Sequence, residues 1–364
     1  MSYKFKLKQS LEHGARRIAL EQIDRALESA PKSEPMLWVH ETRKNLKKIR
    51  ALLRLVRDGL NKTHWRQLNL NLRDTGRLLS GQRDSDVRQQ TLAYLSIDAD
   101  RNLTAAIRRL QAESPALDAI RSDGGLVASA TAVERLTALR AELAELAIEA
   151  ETPAIERALA RVHRAGRRAI ATVRTEPTDE RFHDLRKIVQ LHWRQMQLLV
   201  EAWPDLFKVR LMGARALAQD LGQEHDLATL AVSLETHLAG LETSGPSSKS
   251  AASPAAIKRI IAACRQAQAT LRQKSIETAR LLFAARPRAF ASETAAYWAA
   301  ATTSCRTLGI TQPPASVEAP SQRRNAAGLR QSPRKSTRKR GGGDGTVRST
   351  RKPVGRPASA DRTK

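Results

Sequence analysis

His40-Glu41-Thr42-Arg43-Lys44-Asn45-Leu46-Lys47-Lys48-Ile49-Arg50-Ala51-Leu52-Leu53-Arg54-Leu55-Val56 is the stretch that decides the fold class. On a helical wheel of about 100° per residue, Arg43, Lys44, Lys47, Arg50 and Arg54 fall within about 80° of His40. Leu46, Ile49, Leu52, Leu53 and Val56 fall on the opposite side. That division predicts an amphipathic helix with one apolar and one cationic face. The cationic face has no acid at its i+4 positions, although like charges at that spacing destabilise a helix. A ligand with a row of negative charges would remove the repulsion. For one stripe alone, a well-solvated surface helix is the plainer reading.

The stripe has a second copy. His183-Asp184-Leu185-Arg186-Lys187-Ile188-Val189 repeats the pattern of His40-Glu41-Thr42-Arg43-Lys44-Asn45-Leu46, 143 residues later. Downstream, Arg66, Arg73, Leu79 and Asp84 match Lys208, Arg215, Leu221 and Asp226 at an offset of 142. Segments in the same order at nearly the same spacing predict two similar helical bundles, 1 to about 150 and 151 to about 310, related by a pseudo-two-fold axis. On the second helix His183, Arg186, Lys187 and Arg194 share a face, with Gln190 and Trp193 where the first copy has Lys47 and Arg50. His192 falls among Ile188, Met196 and Leu199 and reads as a core histidine. Two His-headed stripes at one offset shift the balance from solubility to function.

Composition agrees. The 364 residues include 63 Lys or Arg against 37 Asp or Glu, a net charge of +26, with 41% hydrophobic but only 4% aromatic residues. Ala, Leu and Arg dominate, which favours helices over a β-barrel or sandwich. Two cysteines, Cys264 and Cys305, exclude a disulfide framework and a four-thiolate zinc site. No run of 18 apolar residues occurs and the start of the chain has no apolar leader core, so a soluble protein of a reducing compartment, the cytoplasm, is expected.

Turn signals at Pro31 to Pro35, near Pro115 and Gly124-Gly125, at Pro153, at Pro177 and across Ser244 to Pro254 separate helix-period segments. Thr178 or Asp179 offers an N-cap for the second repeat helix. No stretch alternates convincingly enough for a strand, so the body is read as all-α. From Gln312 to Lys364 there are 14 Lys or Arg and 3 Asp or Glu, a net +11 that leaves +15 on the rest. This Pro-, Gly- and Ser-rich segment lacks apolar periodicity and is expected to be a disordered basic tail, 311–364.

The paired motifs resemble the signature helices of the CHAD family (conserved histidine α-helical domain). Leu79-Ser-Gly-Gln-Arg83-Asp84-Ser-Asp86-Val87, Leu221-Gly-Gln-Glu-His225-Asp226-Leu227, His192-Trp193 through Ala202-Trp203-Pro204, and Leu282-Phe283-Ala-Ala-Arg286-Pro287-Arg288-Ala-Phe290 are also similar to CHAD sequences. The resemblance covers about residues 5 to 305. It implies two pseudo-symmetric four-helix bundles around a basic central cavity, within a CHAD domain of residues 1–310. It also implies non-enzymatic binding of inorganic polyphosphate and association with polyphosphate granules. Carried onto this chain, the contacts are His40, Arg43, Lys44, Lys47, Arg50, His183, Arg186 and Lys187. Arg54, Arg66, Arg73, Arg194, Lys208 and Arg215, from the same stripes and repeat, complete the candidate site. Gln190 and Trp193 depart from the family's commoner Lys and Arg. No metal, other cofactor or membrane partner is expected, and the sequence does not disclose a protein partner.

Two rival readings compete with polyphosphate binding. His183-Asp184 and His225-Asp226 are the dipeptides a metal-dependent phosphohydrolase would use, but Arg186 and Lys187 beside His183 repel a cation. The Glu-x-Glu-x-Lys hallmark of a triphosphate-tunnel enzyme is missing, since Pro153 stands where Glu149-Ala-Glu151 would need its Lys. The stronger rival is nucleic-acid binding by body and tail, for which Arg351-Lys-Pro-Val-Gly355-Arg356-Pro357 is faintly similar to an AT-hook core. The first stripe has no aromatic among its cations for stacking bases, and Trp38, Trp65, Trp203 and Trp298 read as packing residues. The tail is left with non-specific polyanion or nucleic-acid binding, or with solubilisation alone.

Overall fold

A computed structural model describes residues 3–30, 35–79, 84–97, 99–118, 125–244 and 253–308. The expected tail, 311–364, and the motif residues around Arg83 lie outside them. The described residues form eleven α-helices, two short 3-10 turns and no strand. In order these are α1 (Leu11–Ser29), α2 (Pro35–Leu55), α3 (Lys62–Leu78), α4 (Asp84–Leu95), α5 (Arg101–Asp118) and α6 (Gly125–Ala144). They continue with α7 (Thr152–Thr175), α8 (Asp179–Leu198), α9 (Pro204–Ser244), α10 (Pro254–Leu282) and α11 (Pro287–Leu308).

Two closed rings of four helices organise them. α1 packs on α2, α2 on α3, α3 on α6 and α6 back on α1; α7, α8, α9 and α10 close the same circuit. The repeat offset reappears in the elements, with α3 starting at Lys62 and α9 at Pro204, 142 residues on. The described residues are therefore all-α, with two four-helix bundles in pseudo-symmetric order. Each has its own apolar centre. Ile18, Ile23, Ile49, Leu52, Leu68 and Leu136 fill the first, while Val173, Phe182, Leu185, Val189, Leu217 and Phe283 fill the second. Leu46, Ile49, Leu52, Leu53 and Val56 are all buried, as the wheel of α2 requires.

Three features depart from two plain bundles. The 41-residue α9 runs unbroken where the first half divides into α3 and α4, and α4 and α5 pack on α9 and α10 through a third cluster around Leu92, Ile107, Leu227 and Ile257. α11 crosses back, packing on α7 and adding Phe290 and Trp298 to the first core. The break expected near Pro115 falls later, because α5 continues to Asp118. A proline in a last turn removes one backbone bond without ending the helix.

Local chemistry sets the helix starts near the site. Asn61 caps α3 by accepting from the N–H groups of Thr63 and His64, and Thr178 caps α8 by accepting from Arg181. The bundles are joined beside the end of α2. Gly59 accepts the Glu149 N–H at 2.8 Å, and a Cβ at Gly59 would meet that backbone at 2.6 Å. Only glycine permits the approach. His192 is buried with His163 between Phe283 and Phe290, as a core histidine. Trp38 and Trp298 are buried, but Trp203 is 46% exposed, edge-on to Tyr297, because it precedes α9 at the rim of the core. No helix among the described residues is long and apolar enough to cross a membrane.

Candidate functional site

α2 and α8 occupy equivalent places in the two rings and pack against each other. Their cationic faces therefore meet along one cleft. Arg43, Lys47, Arg50 and Arg54 line it from α2, and His183, Arg186, Lys187, Gln190 and Arg194 from α8. α3 adds Arg73 and Arg77 across a floor of Leu72 and Gly76, and the space enclosed is about 560 Å³. A second recess of about 410 Å³ shares Arg43, Lys47, Arg186, Gln190 and Arg194 with the first. Its other walls are His40, Lys44, Lys48, Tyr3, Trp193 and Gln197.

Of the candidates from sequence, Arg66, Lys208 and Arg215 are not brought to this cleft, and that expectation is corrected. All three are exposed. Arg66 shares a face of α3 with Arg73 but lies seven residues earlier, about 10 Å along the axis. α9 meets α8 further along its own length, where Gly222 lies beside the Arg186 guanidinium and His225 stacks on His183 at 4.4 Å. Arg77, Lys48, Tyr3 and His225 were not among the candidates. Arg77 and Lys48 carried a signal, one a turn beyond Arg73 and the other at the margin of the α2 stripe. Tyr3 had none, because packing of Phe5 against Trp298 and its backbone bond to Leu198 bring the N-terminal segment here.

The cations are held firmly, although burial and one another's charge oppose them. The Arg43 guanidinium donates to the Leu79 carbonyl at 3.1 Å, Arg50 to Asn69 at 3.1 Å and Arg194 to the Gln190 carbonyl at 3.3 Å. Lys48 donates to Gln22 at 3.0 Å, and the Tyr3 hydroxyl donates to the Lys48 carbonyl at 2.7 Å. Burial, then repulsion from Arg54, Arg73 and Arg77, pushes Arg50 down to about 10, against a smaller opposing pull from Asp74. Burial, then Arg57, lowers Arg54; burial lowers Arg194 too. Lys48 falls to about 8, through burial and then Lys44 and Arg25. The arginines remain charged at neutral pH regardless, and Asp74, at 2.9 Å from Arg73 and 3.6 Å from Arg77, is the carboxylate that offsets part of their repulsion in this partly desolvated space.

Acids sit at the margins. Glu41 accepts from Lys44 at 3.0 Å with His40 at 3.9 Å, Asp184 holds Lys187 at 3.0 Å, and Asp74 holds Arg73 at 2.9 Å. The reading of α2 as a face without neutralising acids is corrected at its head, because Glu41 reaches Lys44 at i+3. Burial, then Lys187 and Arg186, lowers His183, and the stacked His225 falls to about 4. The buried Nδ1 of His183 has no hydrogen-bond partner among the described residues. Among the described residues no three His, Cys, Asp or Glu side chains are grouped to hold a metal ion.

The CHAD domain family model matches residues 15–235, from within α1 into α9, a span that holds both His-headed helices and the cleft between them. The chain belongs to the CHAD family. Among solved structures, the crystal structure of the CHAD domain from the plant Ricinus communis aligns with a TM-score of 0.53 at 18% sequence identity. The alignment covers 78% of this chain and 94% of that one, and at this identity it speaks for the CHAD fold. A comparison with curated proteins finds no match.

Proposed function

We propose that the cleft of this CHAD protein binds inorganic polyphosphate and holds it without chemical conversion. One observation carries the reading: Arg50, Arg54, Arg73 and Arg77 converge in one recess where burial and mutual repulsion push Arg50 down to about 10. A linear anion relieves that repulsion and satisfies the guanidinium forks with phosphate oxygens. From His40 to Arg54 the α2 row runs about 21 Å at 1.5 Å per residue, so consecutive turns meet consecutive phosphates. Recesses of this volume suit a single chain better than a duplex, whose phosphates lie on the outside of a wide cylinder. The cytoplasm, at polyphosphate granules, is the setting this binding suits.

The test is a competition series on the full chain over several salt concentrations. Polyphosphate is expected to outcompete duplex DNA of equal charge, with affinity falling steeply as salt rises through counterion release. Replacing Arg43, Lys44 and Lys47 by Gln is expected to weaken binding more than replacing Arg334, Arg338 and Arg340. Parity between those variants, or tighter binding of DNA, overturns the proposal. Release of phosphate from the polymer by purified protein would overturn the non-enzymatic part.

A further inference from the structure

Away from the cleft, α7 carries a second row of arginines. Arg157, Arg161, Arg164 and Arg168 are spaced i, i+4, i+7 and i+11, which places them within about 60° of one another and over about 16 Å of axis. They border two depressions of about 370 and 620 Å³ that share Arg161 and Arg164. α8 walls one side with Arg181, Asp184 and Ile188, and α11 walls the other with Arg288. Most acids nearby are already engaged. Asp58 takes both Arg157 and Arg161, at 2.8 and 2.9 Å, Asp184 takes Lys187, and Glu176 takes Arg181. Arg164 and Arg168 are exposed and have no carboxylate partner among the described residues.

The lining names the ligand class. Ala160, Ala165, Ala169 and Ala289 form the floor and no aromatic side chain borders it. A protein partner needs large apolar anchors, and single-stranded nucleic acid needs stacking surfaces. With Glu156 and Ile188 at its edges, a row of guanidiniums over small side chains offers chiefly charge and hydrogen bonds, the requirements of a phosphate chain. The groove also adjoins the cleft. α8 is their common wall, with His183 and Lys187 on the cleft side and Asp184 and Ile188 on the groove side. A chain leaving the cleft crosses one helix, about 10 Å wide, to reach Arg164.

We infer that the α7 groove is a second polyphosphate track, engaged by chains too long for the cleft; this rests on the proposed function. The test compares the full-length protein with its Arg164→Gln/Arg168→Gln variant, using tripolyphosphate and a polymer of about a hundred phosphates. Gln keeps helix propensity near that of Arg, and circular dichroism checks the fold. Arg108→Gln/Arg109→Gln, which removes the same charge from exposed positions on α5, serves as the control. The groove variant is expected to bind the polymer about tenfold more weakly, with the log–log salt slope shallower by about 1.4, while tripolyphosphate affinity stays within twofold. An unchanged polymer affinity, or an equal loss in the α5 control, overturns the track. Wild-type protein that binds neither phosphate ligand sinks the cleft reading instead.

Discussion

α2 and α8 are the same helix used twice, and they differ in how charge is distributed and how the helix is held. Their heads match, His40, Arg43 and Lys44 against His183, Arg186 and Lys187. The following turns do not. Lys47, Arg50 and Arg54 on α2 correspond at the repeat offset to Gln190, Trp193 and Gln197 on α8. Arg194 stands where α2 has Ala51, and it is buried against the Trp193 ring, 5.8 Å from its centroid. α3 then enlarges the imbalance by adding Arg73 and Arg77 to the α2 side. One duplicated scaffold therefore presents a cationic wall opposite a mixed one. The α8 head is in turn fixed by a network with no counterpart among the described residues of the first bundle. Asp179, the first residue of α8, accepts from Arg272, from Gln268 at 2.9 Å and from Arg265 at 3.3 Å. Glu224, 1% exposed, accepts from the same Arg272 and Gln268, at 2.8 and 2.9 Å.

The largest effect should come from breaking that anchor. Arg272→Met leaves the Glu224 carboxylate buried without its cation, a change that typically costs ~3–5 kcal/mol. Denaturant unfolding should show a loss of that order. Arg25→Met, at a partly exposed cation of the first bundle, should cost under about 1 kcal/mol. Equal costs would erase the contrast in anchoring. Burial raises the Asp179 carboxyl, but hydrogen bonds from Arg272 and Arg265 outweigh it and hold it below the usual carboxylate range. A depressed folded pKa adds stability above the unfolded value of ~3.9 and loses it as pH falls through the lower folded value. Acid should therefore narrow the gap between wild type and Arg272→Met.

A smaller effect separates the two walls. Replacing Arg50 and Arg54 by Gln should lower polyphosphate affinity about a hundredfold, taking ~1.5 kcal/mol for each charge-assisted contact. The same change should raise the melting temperature, because it removes two partly buried cations that repel each other. Putting the α2 pattern on α8 through Gln190→Lys should act in the opposite sense, tightening binding about tenfold and lowering the melting temperature. Isothermal titration and thermal melts on the same samples read both. If affinity and stability move together, repulsion in the cleft is not what the ligand relieves.

These expectations also mark how far the sequence could be read. The α2 stripe was legible because a 3.6 period sorts Leu46, Ile49 and Leu52 from Arg43, Lys47 and Arg50 without any tertiary knowledge. Pairing it with α8 needed only the repeat. The misplacement of Arg66, Lys208 and Arg215 shows the limit, since an offset aligns residues along the chain but does not say how far along a helix its neighbour crosses. The docking of α4 and α5 on the far half of α9 was illegible for a related reason. A repeat reveals the elements two halves share, and these are elements they do not. Tyr3 reached the recess through packing by Phe5, and its own neighbours in sequence carry no period that could point there.

The smallest effect concerns the paired imidazoles, where the walls differ again. His40 is half-exposed beside Glu41, whereas His183 is stacked on His225 and faces Arg186 and Lys187 from its own helix and Lys47 from α2, with only Asp184 opposing. Burial and those cations keep His183 below its ordinary value, so it is neutral at pH 7 in the free protein. A bound polyanion favours the imidazolium, so binding takes up protons wherever the bound pKa exceeds the free one. Affinity should therefore rise as pH falls through the bound value and level off below the free value, by at most tenfold per unit for one histidine. Titration calorimetry near pH 6 in two buffers of different ionisation enthalpy measures that uptake directly. His183→Gln should remove a large part of it. Full uptake in the His183→Gln variant, or no uptake in wild type, would mean that His183 does not face the bound anion and that the contribution of α8 begins only at Arg186.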